Sequence, residues 1–594
     1  MQPKHLAQIV HGNAKKYGNK IALRAKVSGV WQTISWLELE QKVRATAKAL
    51  LELGVQEGEM VGIFSQNCPQ WSIADYGILS IRGVSVPVYA TDTAKRAEYI
   101  VNDAEIKVIF VGAQAQYDKI MSILPESAHL KKVIVFNPQV KLINDKSSLY
   151  FHDLLEIGVK STRDAELDER LQKGSTDELA TLIYTSGTTG EQKGVMLLHS
   201  NFHHSFVGHD DRLDVSDKDV SMCFLPLSHV FERTWSYYAL AIGMEIVYCQ
   251  ETSKIIEYLQ EAKPTIMCAV PRFYEKIYGT VFEKLETAPP FRKKLFGWAI
   301  KTGEQMYIRK KERQPIPMLL SLKYKIADAL VLKKIQAIVG GAIRFFPCAG
   351  APLSKKIEEF FHSAGICIKY GYGLTETTAT VTCHENYFFR PGTVGKTIKD
   401  VEVKISVTGE ILVRGPNVMK GYYKKPQETA DVFEDGWFRT GDIGFLEDGY
   451  LTITDRLKDL MKTSGGKYVA PQPVETAIGS DYFIEQIITI GDNKKYVSAL
   501  IVPAFNALED YARSKDVTFL SRVELINNPE IIAFYKTRID EKQKDLSEYE
   551  KVKRFTLLVD PFTQESGELT PTMKVKRKVV LGKYENIIAA MYKD

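Results

Sequence analysis

The densest group of phosphate-seeking residues in the chain is Tyr184-Thr-Ser-Gly-Thr-Thr-Gly-Glu-Gln-Lys-Gly194, directly after the apolar run Leu179–Ile183. Gly187, Gly190 and Gly194 allow positive φ and a close backbone approach to an anion. Thr185, Ser186, Thr188 and Thr189 offer hydroxyl donors, and Lys193 adds charge. A loop of this make-up suits a polyphosphate. It does not satisfy the P-loop template G-x-x-x-x-G-K-[ST], because the four residues after Gly187 lead into Gln192-Lys193-Gly194. A plain Gly/Ser/Thr linker is the bland alternative, but linkers rarely interrupt an apolar strand and end on a basic residue.

Further stretches carry related chemistry: Leu225-Pro-Leu-Ser-His-Val-Phe-Glu-Arg233, Gly350-Ala-Pro-Leu353, Tyr370-Gly-Tyr-Gly-Leu-Thr-Glu-Thr377, Phe438-Arg-Thr-Gly-Asp442 and Asp455-Arg-Leu-Lys-Asp459. With the 184–194 loop, these resemble, in order, the successive motifs of the adenylate-forming (AMP-binding) superfamily of acyl-CoA synthetases, luciferases and peptide-synthetase adenylation domains. The resemblance implies a two-step reaction. A carboxylate attacks the α-phosphate of ATP to give acyl-AMP and pyrophosphate, and a thiol, here CoA, then displaces AMP. The first step brings an anion onto a polyanion, so the site needs positive charge and donors on the phosphates. Lys193, the hydroxyls of 185–189 and Mg2+ would meet that need.

Position by position, the resemblance makes Glu376 the magnesium-binding carboxylate and puts Thr375 on the α-phosphate. Tyr372, followed by Gly373, would stack on adenine opposite the Gly350-Ala351-Pro352 backbone. Asp442 would accept the two ribose hydroxyls, with Arg456 assisting. Lys458 occupies the hinge position about which a small C-terminal domain swings between adenylating and thioester-forming poses, and Gly465 and Gly466 would line the path of the CoA arm. The ending Leu569-Thr-Pro-Thr-Met-Lys-Val-Lys-Arg577 lacks the glycine of the common family ending. It leaves Lys574 and Lys576 as candidates for the phosphate-clamping lysine, with Lys574 preferred. His229, Val230 and Phe231 are expected at the substrate pocket. His229 is not needed as a base, because a carboxylic acid is already ionised at neutral pH. In isolation it would read as a core histidine.

Lys263-Pro-Thr-Ile-Met-Cys-Ala-Val-Pro-Arg-Phe-Tyr-Glu-Lys276, an insertion at 291–334 and the C-terminal ending are similar to the long-chain fatty acid:CoA ligase branch. Cys348-Ala349 departs from the Ser-Gly common there. Two acceptors stay open, free CoA and, for a fatty acyl-AMP ligase, a carrier-protein thiol. A non-catalytic scaffold would have lost residues such as Thr185, Lys193, Glu376 and Asp442, which are all present. The insertion, with Arg292-Lys-Lys294 and Arg309-Lys-Lys-Glu-Arg313 among aromatic and aliphatic residues, reads as a solvated helical surface or as a peripheral contact with a membrane.

Elements must hold these groups. Val61–Phe64, Val84–Tyr89, Val108–Val111, Val133–Phe136, Leu179–Tyr184, Ile246–Cys249 and Thr265–Val270 read as buried strands alternating with helices, one of them marked by Val43, Ala47, Leu50 and Leu51 and stopped by Gly54. The pattern predicts an α/β fold: stacked α/β subdomains in a large domain over 1–456, and a small mobile α+β cap over 457–594. The 594 residues, 45% hydrophobic and 25% charged, describe a folded globular chain, and a formal net charge of +5 gives no argument for nucleic acid. Seven scattered cysteines without a C-x-x-C pair favour a reducing cytoplasmic interior. Neither an N-terminal apolar leader nor a long apolar run is found.

Overall fold

The β-branched runs form strands because each is apolar on both faces and is followed by enough chain for a crossover helix, the pattern that makes parallel, two-sided sheets. A computed structural model describes residues 5–143, 146–186 (excluding the Ser186 side chain), 192–286, 288–386, 389–564, 566–570 and 574–593. Two large, mostly parallel sheets dominate. The eight-stranded sheet has the order Gly421–Tyr422, Gln192–Leu198, Leu179–Ser186, Val84–Val88, Met60–Phe64, Val108–Val111, Lys132–Val135, Ser148–Tyr150. The nine-stranded sheet carries Thr382–Cys383, Cys367–Tyr372, Phe345–Cys348, Ile266–Met267 and Val220–Cys223 as successive neighbours. A five-stranded antiparallel sheet holds Trp437–Glu447 paired with Tyr450–Arg456, and a separate three-stranded sheet, Ile484–Ile490, Val497–Pro503 and Val552–Leu557, builds its own cores beyond residue 460.

Helix Trp36–Glu52 shows how sequence sets such an element. Ser35 and Glu38 close a capping box at its start, and Val43, Ala47, Leu50 and Leu51 lie on its buried face. Gly54, at φ +79°, turns the chain out of the helix. The run 265–270 is shorter as a strand than its apolar character predicts. Ile266–Met267 pair as a ladder, Ala269 makes a single bridge to Cys348, and Pro271 already opens a helix.

The sheets are tied beneath the site by a buried ionic cluster. Arg233 Nη2 lies 2.5 Å from Asp75 Oδ1, and both side chains are 1% exposed. Tyr237 donates to the other Asp75 oxygen at 2.5 Å, and Arg233 donates to Thr181 Oγ1 at 2.8 Å. Arg233 thus links its own helix, Val230–Ile242, to strand Leu179–Ser186. Among the described residues no helix is long and apolar enough to cross a membrane, and all seven cysteines are unpaired.

Candidate active site

The hydroxyl-rich loop grows from a hairpin. Strands Leu179–Ser186 and Gln192–Leu198 run antiparallel with Thr185 opposite Lys193 and Ser186 opposite Gln192. Gly187, Thr188, Thr189 and Gly190 lie outside the described residues. The base of the hairpin is anchored by the Tyr184 hydroxyl, which donates to Asp103 Oδ2 at 2.5 Å. The edge strand Gly421–Tyr422 pairs with Gln192–Leu198, setting Tyr422 opposite Val195. That register carries the Tyr422 ring under Lys193, whose Nζ lies 4.9 Å from the ring centroid. The Tyr422 hydroxyl donates to Glu376 Oε1 at 2.9 Å. Lys193, Tyr422 and Glu376 therefore form one chain of contacts. Sequence reading missed Tyr422, since nothing local in Lys420-Gly-Tyr-Tyr423 marks it and only the strand register brings it to the site.

Thr375 and Glu376 sit in a 3₁₀ turn, Thr375–Thr377, after strand Cys367–Tyr372. The chain folds back so tightly there that a Cβ on Gly373 would stand 2.1 Å from the Ala379 carbonyl oxygen, so only glycine fits. Thr375 is buried. Burial pushes the Glu376 carboxyl above the ordinary range and nearby Asp442 adds to this, while its own backbone bond, the Tyr422 hydroxyl and Arg456 pull it back.

Tyr372 ends the same strand and is buried. Its hydroxyl donates to Asp442 Oδ2 at 2.6 Å, and Arg456 Nε stands 3.1 Å from Asp442 Oδ1. Asp442 and Arg456 are cross-strand partners in the sheet register, which explains the pairing. Each carboxylate oxygen keeps a further lone pair, so Asp442 can still accept hydroxyls. Gly350, at φ +93°, opens the Gly350-Ala351-Pro352 segment. The Tyr370 hydroxyl anchors that segment, donating to the Ala351 carbonyl at 2.9 Å and accepting from the Leu353 amide at 3.0 Å.

The two C-terminal lysines part company. Lys574 is exposed to solvent, and its ammonium lies within electrostatic reach of Arg456, Asp442 and Asp459. Burial, followed by the neighbouring Arg456 charge, brings its ammonium down to about 8, against the pull of Asp442 and Asp459. Lys576 instead feels Arg96 and Asp92, and its amide donates to the Glu568 carbonyl at 2.7 Å. His229 caps helix Val230–Ile242, its Nδ1 accepting from the Phe231 amide at 3.2 Å. Burial, with the Lys574 charge second, lowers its imidazole to about 4. The preceding loop is pinned by Asn67, which donates to the Leu225 carbonyl at 2.7 Å and accepts from the Leu227 amide at 2.9 Å. Lys458 lies in the exposed turn after Arg456, and Gly465 and Gly466 lie at the exposed tip between strands Met461–Lys462 and Tyr468–Val469.

The structure divides the three pocket candidates. Phe231 lines a narrow cavity with Trp235, Ala349, Tyr372 and Ala379, whose volume of about 30 Å³ holds roughly two waters. Val230, in the first turn of its helix, is 2% exposed and packs into the main hydrophobic core. His229 is within electrostatic reach of Lys574 and is not among the residues lining that cavity.

A family model described as AMP-binding enzyme matches residues 10–423, and one described as AMP-binding enzyme C-terminal domain matches 458–594. The chain belongs to the AMP-binding enzyme family. Among relatives, a long-chain-fatty-acid–CoA ligase, FadD15, of Mycobacterium tuberculosis is 34% identical over 594 residues, spanning 99% of this chain and 97% of that one. The peroxisomal long chain acyl-CoA synthetase 6 of Arabidopsis thaliana is 31% identical, covering 97% of this chain and 84% of the relative. The adenylation domain of a carboxylic acid reductase from Segniliparus rugosus, solved with AMP, superposes with a TM-score of 0.78 at 21% identity, covering 100% of this chain and 94% of that one, a likeness of fold. Four of the stretches singled out in the sequence, from Tyr184 to Thr377, fall inside the larger match.

Proposed function

We propose that this AMP-binding enzyme activates a long-chain fatty acid with ATP and passes the acyl group to CoA, releasing pyrophosphate and AMP. The observation that carries the reading is the convergence of Lys574, from the C-terminal part, on Asp442 and Arg456 of the large part, beside the Glu376–Tyr422–Lys193 chain. A triphosphate needs cationic groups from several sides, and a lysine delivered from a second domain supplies one only while that domain is closed. Long-chain ligases aligned over nearly the whole chain support the substrate class.

In the adenylation step, Asp442 and the Tyr372 ring hold the nucleoside, Thr375 and Lys193 hold phosphate oxygens, and Lys574 neutralises charge as the fatty acid carboxylate displaces pyrophosphate. Among the described residues no three His, Cys, Asp or Glu side chains are grouped to hold a metal. Mg2+ takes one or two carboxylates together with substrate phosphates. Glu376 would hold it, and when bound it supplies Lewis-acid charge neutralisation. Thioester formation needs the lysine withdrawn and a path opened to the acyl phosphate. A rotation at Lys458 that swings Gly465 and Gly466 toward the site would do both. The unpaired cysteines suit a reducing, cytoplasmic compartment.

ATP–pyrophosphate exchange dependent on a long-chain acid, with CoA and a carrier protein compared as acceptors, tests the reading. Acyl-CoA from free CoA is the expected product. Absence of exchange with every medium- and long-chain acid overturns it.

A further inference from the structure

The insertion is helical: Pro290–Lys311, then Met318–Ala327, running through a π-helical turn, Asp328–Leu332, into Lys333–Ile338. Its second part carries an exposed aliphatic ridge. Met318 is 90% exposed, Leu322 57%, Ile326 46% and Leu330 47%, at a constant four-residue spacing, with Leu319 beside them at 63%. An ideal α-helix would rotate such a stripe steadily off one face. The wider π turn at 328–332 counters that drift and keeps Leu330 in line. Leu320, Ala327 and Leu332, on the other side, are buried and hold the helix to the body. Lys323, Lys325, Lys333 and Lys334 flank the ridge and are exposed, and no acidic residue falls between Arg313 and Asp328.

We infer that the Met318–Leu330 ridge is the surface by which this protein docks on an anionic lipid bilayer, the aliphatic side chains entering the acyl boundary and the lysines meeting the headgroups. Charge complementarity selects this occupant. A stripe of aliphatics rimmed by lysines matches apolar chains beneath anionic headgroups, and large apolar side chains left in water at this density need cover. The inference rests on the fatty-acid reading for its purpose, since a long-chain acid partitions into the bilayer and a docked enzyme would take it there.

The full-length enzyme is floated with vesicles of phosphatidylcholine containing phosphatidylglycerol, and with phosphatidylcholine alone. Binding is expected to favour the anionic vesicles and to weaken with salt. Lys323→Glu/Lys325→Glu should weaken it by about fivefold or more per lysine, and Leu319→Glu/Leu322→Glu should abolish it. Both variants replace exposed side chains and should keep parental activity on a water-soluble medium-chain acid, while activity on vesicle-borne long-chain acid falls. Binding that is equal on both vesicle types, or unchanged in the variants, overturns the inference, as does a ridge that mediates self-association or protein capture without lipid binding. Loss of activity on every acid in the parent enzyme would instead count against the ligase reading, and flotation would still decide the docking surface.

Discussion

Replacing Lys574 by arginine separates its charge from its proton chemistry. Burial and Arg456 lower the Lys574 ammonium to about 8 in the ligand-free enzyme. The charged fraction is then about 0.9 at pH 7 and about 0.1 at pH 9. If the charged form clamps phosphate, kcat/KM for ATP, which reports groups of the free enzyme, should fall roughly tenfold over that interval. Fatty-acid-dependent ATP–pyrophosphate exchange is the assay, because it stops before CoA and excludes the titration of its thiol. Arginine stays charged throughout, so Lys574→Arg should lose this alkaline limb even if its bulk lowers the plateau. Lys574→Ala should lower exchange by about 10²–10³-fold at every pH, the usual cost of one transition-state donor, while thioester formation from supplied acyl-AMP persists. The stability consequence has a definite sign. The folded state binds this proton more weakly than the unfolded chain, so stability rises with pH between about 8 and the ordinary lysine value of 10.5, and the penalty is complete below that window. Lys574→Ala should therefore melt no lower than the parent at pH 7. An alkaline limb surviving unchanged in Lys574→Arg, or normal exchange in Lys574→Ala, would refute the reasoning.

Lys576→Ala should retain adenylation within about threefold, since the charges beside it are Arg96 and Asp92 and not the Asp442–Arg456 pair; a loss as large as that of Lys574→Ala would reverse the assignment. Tyr422→Phe removes the hydroxyl that orients Glu376 and should raise the Mg2+ concentration needed for half-maximal exchange by about 10–100-fold, with an unchanged requirement as the contrary result. Arg233→Met leaves Asp75 as an uncompensated buried charge and should cost about 3–5 kcal/mol in urea unfolding; a cost below about 1 kcal/mol would show that the ion pair does not brace the sheets.

The candidate site residues were legible because they stand in contiguous stretches. A hydroxyl-rich glycine loop after a strand, Gly371-Tyr-Gly-Leu-Thr-Glu376 and the Asp455-Arg456 pair each carry a resemblance to the family's motifs within a few residues. The α/β fold was legible for the same reason, since parallel strands buried on both faces leave unbroken apolar runs. The extent of the 265–270 strand was not, because apolarity alone does not say where Pro271 diverts the chain.

What only the tertiary structure decided were meetings between distant segments. Tyr422 reaches Glu376 across 46 residues, and Arg233 reaches Asp75 across 158, through strand register and helix packing that no local pattern encodes. Two lysines separated by a single residue, Lys574 and Lys576, have similar chemistry in sequence. They differ because docking of the C-terminal part presents one to Asp442 and Arg456 and the other to Asp92 and Arg96. The sequence by itself determined which groups are available. Long-range packing decided which of them meet, because a side chain's partners depend on where the backbone of another element has been placed.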